Sequence, residues 1–131
     1  MRSAAVLLVL LALAACDSPP PRAQVAGVEG RKRVDAATAA WADCLDTTAK
    51  KLATPEAQTA EAADGAFKAC APKRAALVDE VRRFHRLGAP NETAAYNLAV
   101  GESSVAGIEV DLRSQTEITA VSWKLDHDKA N

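Results

Sequence analysis

A chain of 131 residues with 16 basic and 17 acidic side chains carries a formal charge of −1, which argues against generic nucleic-acid binding. Hydrophobic residues make up 49% of the sequence and aromatic residues only 4%, so much of the apolar content is methyl groups rather than large side chains. Such a composition favours helix, lets helices approach closely, and leaves a thin core that needs reinforcement.

Met1, Arg2 and Ser3 form a short basic start, and Ala4 to Ala15 is an unbroken apolar run. A spanning helix needs about 20 apolar residues, so this run is too short to cross a bilayer and has the anatomy of a signal peptide. It closes on Leu13, Ala14, Ala15 and Cys16. That ending resembles the lipobox of bacterial lipoproteins: a branched apolar residue and two small residues before a cysteine. The resemblance implies that a diacylglyceryl group is added to the Cys16 sulfur and that signal peptidase II cuts between Ala15 and Cys16. Residues 1–15 then leave, and Cys16 becomes the lipidated first residue of a chain on a membrane surface, facing the periplasm. Asp17 resembles the inner-membrane retention signal of enteric bacteria. That sorting rule varies between bacterial groups, so inner and outer membrane both stay open.

Three cysteines in an exported protein leave one over, and lipidation of Cys16 accounts for it. Cys44 and Cys70 remain as a pair in an oxidising compartment, where disulfides persist, and a bridge between them is expected. Without residues 1–15 the chain has the size of one domain plus a tether. Pro19 to Pro21, followed by small residues and two glycines, read as that tether, which spans 16–33 with Arg31, Lys32 and Arg33 as its solvated basic end.

The helical domain is then 34–131. Val34, Ala37, Trp41, Cys44, Leu45, Ala49 and Leu52 recur at spacings of three and four and predict the first amphipathic helix. Thr54, Pro55 and Glu56 read as the start of a second helix, whose seam runs through Ala60, Ala63, Phe67, Cys70, Arg74, Leu77, Val81 and Phe84. Pro72 predicts a kink or break near Ala69. A hairpin turning directly at Pro55 offsets the two cysteines by ~10 Å along the axis, too far for a disulfide. Three outcomes are open: Pro55 to about Thr59 is a separate turn that shifts the register, the helices splay, or the bond does not form; the separate turn is the expectation. Trp41 is expected to pack near the bridge as a core anchor.

Arg82, Arg83, Arg86, Leu87 and Gly88, ahead of Pro90, read as the end of this helix. Asn91 is read as the cap of a further helix, with Leu98, Gly101, Val105, Ile108 and Leu112 on its face. Beyond Leu112 the pattern is ambiguous: Ile118, Val121 and Leu125 continue a helical stripe, whereas Val121, Trp123 and Leu125 alternate as in a strand. A lone strand has no partner in this chain, so helix is the expectation. The fold class is all-α, a small hairpin or three-to-four-helix bundle stapled by one disulfide.

The chemistry assembles poorly. Gly101, Glu102, Ser103, Ser104 and Val105 match a nucleophile elbow for three positions and fail where Val105 replaces glycine. His85 and His127 have dull explanations as solvated residues at a basic helix end and in a polar tail, and Asp126, His127 and Asp128 are too close in sequence to converge on one ion. Asp79 and Glu80 point in different directions on a helix. No catalytic residue, metal site, cofactor or small-molecule ligand is expected. Lys68 to Arg86 holds six basic and two acidic side chains, and Leu87 to Asn131 three and seven. The simplest consequence is internal pairing of the two stretches; the alternative is a basic face for an acidic partner. The leading functional expectation is a non-enzymatic envelope accessory or protein-binding module. An inhibitor or immunity-type lipoprotein that blocks an envelope enzyme comes second, and an enzyme acting on cell wall or lipid comes last.

Overall fold

The structure is a computed structural model and describes residues 22–129. The Ala15 to Cys16 cleavage point, Cys16 and the remainder of 16–21 lie outside the described residues. Four helices follow in order: α1 (Arg22–Leu52), α2 (Thr59–Ala69), α3 (Ala71–Gly88) and α4 (Ala94–Asp128), with no strand among the described residues. The protein is an all-α bundle. α2 and α3 form one broken rod antiparallel to α1, and α4 returns alongside both.

α1 starts at Arg22, twelve residues before Val34, so 22–33 are helix and not tether. Two physical reasons explain the difference. No proline follows Pro21 in this stretch, and Gly30, which weakens a helix in isolation, is buried here by tertiary packing. A Cβ at Gly30 would lie 2.7 Å from Phe84 Cδ2 and 3.1 Å from Leu87 Cδ1, so α3 presses directly on the α1 backbone.

The turn between α1 and α2 is the device that brings the cysteines together. Thr54 does not cap a helix beginning at Pro55; its hydroxyl and carbonyl oxygens both accept from the Ala57 N–H, at 3.1 and 3.2 Å, and α2 waits until Thr59. Cys70 now lies eleven residues after the helix start against eight before the end of α1 for Cys44. The axial offset shrinks to ~5 Å. The bond forms, with the two Cα atoms 6.0 Å apart. Lys124 of α4 donates to the Ala57 carbonyl and, at 3.4 Å, to that of Pro55, which ties the turn to the last helix.

Pro72 breaks the rod where expected. α2 ends at Ala69, Cys70 sits at the junction, and Pro72 occupies the first turn of α3, where a missing N–H costs no helix bond. The core lies around this break: Trp41, Leu45, Ala66, Cys70, Leu77 and Val105 are all buried. The Trp41 ring meets Phe67 edge-on at 5.8 Å, and Arg113 of α4 lies 4.7 Å over the Phe67 ring. Arg113 is held by Asp64 at 2.6 Å, so one chain of contacts joins α2, α4 and α1. That hydrogen bond raises the Arg113 pKa above its ordinary value, against a smaller desolvation cost.

Thr93, not Asn91, caps α4. Its hydroxyl accepts from the Tyr96 N–H at 3.2 Å in an extended conformation (φ −66°, ψ 156°). Asn91 falls inside the turn that follows Pro90, where the Glu92 N–H reaches the Ala89 carbonyl at 3.3 Å. α4 then continues without interruption to Asp128, which resolves the stretch after Leu112 as helix.

Two glycines of α4 separate packing from propensity. At Gly101 an added Cβ would meet the Val78 carbonyl oxygen at 3.1 Å and Arg82 Cγ at 2.8 Å, whereas at Gly107 it meets nothing within 4 Å. Gly101→Val is expected to destabilise the bundle by about 2 kcal/mol through overpacking. Gly107→Ala is expected to stabilise it by about 1 kcal/mol through helix propensity. Denaturant melts of the two variants check both signs.

Candidate protein-binding surface

The helix α4 carries its large apolar residues on the wrong side for a simple amphipathic element. Its buried face runs through Asn97, Gly101, Val105, Leu112, Thr116 and Ala120, in which only Val105 and Leu112 are substantial hydrophobes. Thr116 is accommodated inside because its hydroxyl donates to the Leu112 carbonyl at 2.6 Å. The stripe expected from Ile118, Val121 and Leu125 instead faces solvent: they are 61%, 43% and 55% exposed, and Val110 is 70% exposed. At 100° per residue these four fall within about a quarter of the helix circumference. Leu98, expected on the core face, is exposed as well.

The inversion has a packing cause. Near the C-terminal end of α4 the facing surface is Ala53 and Ala62, so only a small residue, Ala120, fits between them, with Trp123 covering the edge. Larger side chains in those positions would force α4 away from α1 and α2. Trp123 is thus half-buried and stacked on His127, with ring centroids 3.6 Å apart. It is an internal cover rather than an exposed anchor. His127 Nδ1 lies 2.8 Å from the Trp123 carbonyl oxygen, so the imidazole is engaged with its own helix.

Among the described residues, three of the six basic side chains of Lys68 to Arg86 form ion pairs. Arg74, which interrupts the seam of the broken rod, bridges Glu109 and Glu102 of α4, each at 2.8 Å. These hydrogen bonds, first that to Glu109 and then that to Glu102, raise its pKa beyond its usual value. Arg82 pairs with Asp79 and Arg83 with Glu80, while Glu80 is also approached by Arg33 of α1 at 3.3 Å. Arg74 thus joins the basic stretch to the acidic one, whereas Arg82 and Arg83 pair within α3. Each such surface pair is worth about 0–1 kcal/mol, so the Arg74 bridges align α4 against α3 more than they stabilise it.

His85 is not simply a solvated terminal residue. The buried Asn97 side chain donates its amide N–H groups to the carbonyls of Glu92 and Thr93 at 3.2 and 3.0 Å, which leaves Oδ1 as an acceptor. His85 Nδ1 lies 2.8 Å from that oxygen and must be the donor. A neutral His85 consequently carries its proton on Nδ1, with Nε2 as the acceptor. Sequence periodicity did not find Asn97, because a polar residue on a core face is read as a break in the stripe.

Ser103, Ser104 and Val105 lie within continuous α4, with Val105 fully buried, so no strand-to-helix elbow exists there. Among the described residues no group of three or more His, Cys, Asp or Glu side chains is arranged to hold a metal ion. No described helix is long and apolar enough to cross a membrane. Comparison with protein-family models, curated proteins and solved structures finds no match.

Proposed function

We propose that this protein is a lipid-anchored lipoprotein of the bacterial envelope, tethered through Cys16 on the periplasmic side, and that it acts as a non-enzymatic protein-binding module. The observation that carries the binding role is the solvent-facing apolar stripe of α4, formed by Val110, Ile118, Val121 and Leu125. Exposed apolar side chains aligned on one face of a rigid helix, here Ile118, Val121 and Leu125 with Val110 two turns earlier, are the usual form of a helix-mediated protein contact. The cross-linked bundle holds the stripe in a fixed shape, which reduces the entropy lost on association. The anchor reading is supported by the lipobox-like Leu13, Ala14, Ala15 and Cys16 and by the pairing of the other two cysteines.

The test is site-specific photocross-linking in intact cells. A photoreactive side chain in place of Ile118 is expected to give one reproducible protein adduct, and the companion substitution Val121→Asp to reduce its yield at least fivefold. The same photoreactive side chain at Glu56, on the exposed turn, is expected to give none. Equal labelling at both positions, or no adduct at 118, would overturn the binding role.

A further inference from the structure

At the end of the bundle opposite the Thr54 turn, the first turns of α1 overhang the end of α3 and the start of α4 and border an apolar cavity of about 550 Å³. Ala23 and Gly27 of α1, Phe84 and Leu87 of α3 and Val100 of α4 line it, with His85 at its polar edge. The volume falls in the range of small-ligand sites, roughly 300–1,000 Å³, and apart from His85 and Ser104 the lining side chains are apolar. The apolar surface continues outward through the exposed Val28 and Leu87, which are 56% and 50% exposed. An unbranched hydrocarbon is the chemistry such walls accept.

We infer that this cavity receives one acyl chain carried on Cys16. The inference rests on the lipidation proposed above and names where one of those chains goes. Cys16 stands seven residues before Ala23, the first residue lining the cavity, and seven extended residues span at most ~25 Å. A chain attached there starts within reach of the opening and is present at a local concentration in the millimolar range, which favours it over free fatty acid. Seating one acyl chain covers the apolar lining and shifts the balance between membrane insertion and a shielded form of the protein. With a diacylglyceryl group alone on Cys16, seating one chain leaves one and only marginal membrane binding; where the amino group is acylated too, two chains remain and attachment holds.

Gly27 supplies a clean test, because a Cβ added there meets no atom within 4 Å. Gly27→Leu therefore adds a side chain at the lining whose Cβ meets no neighbour, and it improves helix propensity. Val28, 56% exposed where the apolar surface continues outward, is replaced by a benzophenone-bearing residue in the full-length precursor, which is processed in cells and irradiated. Mass spectrometry of the digest is expected to show residue 28 joined to an acyl group on the Cys16 peptide. Gly27→Leu is expected to lower that yield at least fivefold while the Cys44–Cys70 bond persists and the melting temperature does not fall, with Ala23→Leu as a second plug. Adducts to phospholipid or free fatty acid alone, no adduct, or a yield insensitive to both plugs would overturn the inference. The same spectra weigh the Cys16 peptide. A lipid-bearing peptide without adduct removes this inference alone, whereas an unmodified Cys16 removes the lipoprotein reading with it.

Discussion

Breaking the Cys44–Cys70 bond, by reduction or by the double substitution Cys44→Ser and Cys70→Ser, is expected to lower the melting temperature by roughly 15 °C. The bond joins residues 26 apart in sequence and sits where α1 meets the break between α2 and α3. In the chain-entropy account, closing a loop of this length removes about 3.5 kcal/mol of unfolded-state freedom. For a bundle of this size that energy corresponds to the stated shift. Cys70 is completely buried beside Leu77 and Trp41, so serine there also places a hydroxyl in the core, with Thr48 Oγ1 3.6 Å from the Cys70 sulfur as the nearby polar atom. Trp41 is fully buried against Phe67, and its fluorescence is expected to shift to the red in the reduced protein as the core loosens. A melting temperature unchanged within 3 °C on reduction would show that packing alone holds the bundle.

Cys16→Ala is expected to abolish lipid labelling and normal processing and to change the fractionation of the protein. The proposal assigns all stable attachment to lipid on this residue, and no described helix offers a substitute span. Two acyl chains suffice for stable anchoring and loss of all of them leaves only weak surface contact, so the effect is close to all-or-none. Metabolic labelling with a tagged fatty acid and fractionation of the envelope measure it. A Cys16→Ala protein that stays with membranes after a high-salt wash, at the mature size, would refute the anchor. The basic residues of α1, Arg31, Lys32 and Arg33, would account only for a salt-sensitive residue of binding.

The legible part of the fold was the part governed by local rules. Helix spacing around Trp41, Leu45 and Ala49 located the core face of α1, and Pro72 located the break in the second rod. The cysteine pair follows from counting, and a separate turn after Thr54 was one of the ways in which the bond could close, the one the structure shows. The candidate binding surface was only half legible. Ile118, Val121 and Leu125 were recognised as one helical stripe, but periodicity says that residues share a face and not which side the face takes.

What the sequence determined by itself was the all-α class, the pairing of Cys44 with Cys70 and the break at Pro72, because each follows from backbone chemistry or from cysteine counting. Tertiary structure alone decided three things. It decided that 22–33 is helix, because Phe84 and Leu87 pack onto Gly30. It decided that Asn97 belongs inside, because the Glu92 and Thr93 carbonyls and His85 satisfy its amide. And it decided that α4 turns its small residues inward and its large ones outward, because Ala53 and Ala62 leave no room opposite Ala120 for anything larger. Burial depends on the volume that other elements leave free, and that volume is set by chain segments tens of residues away.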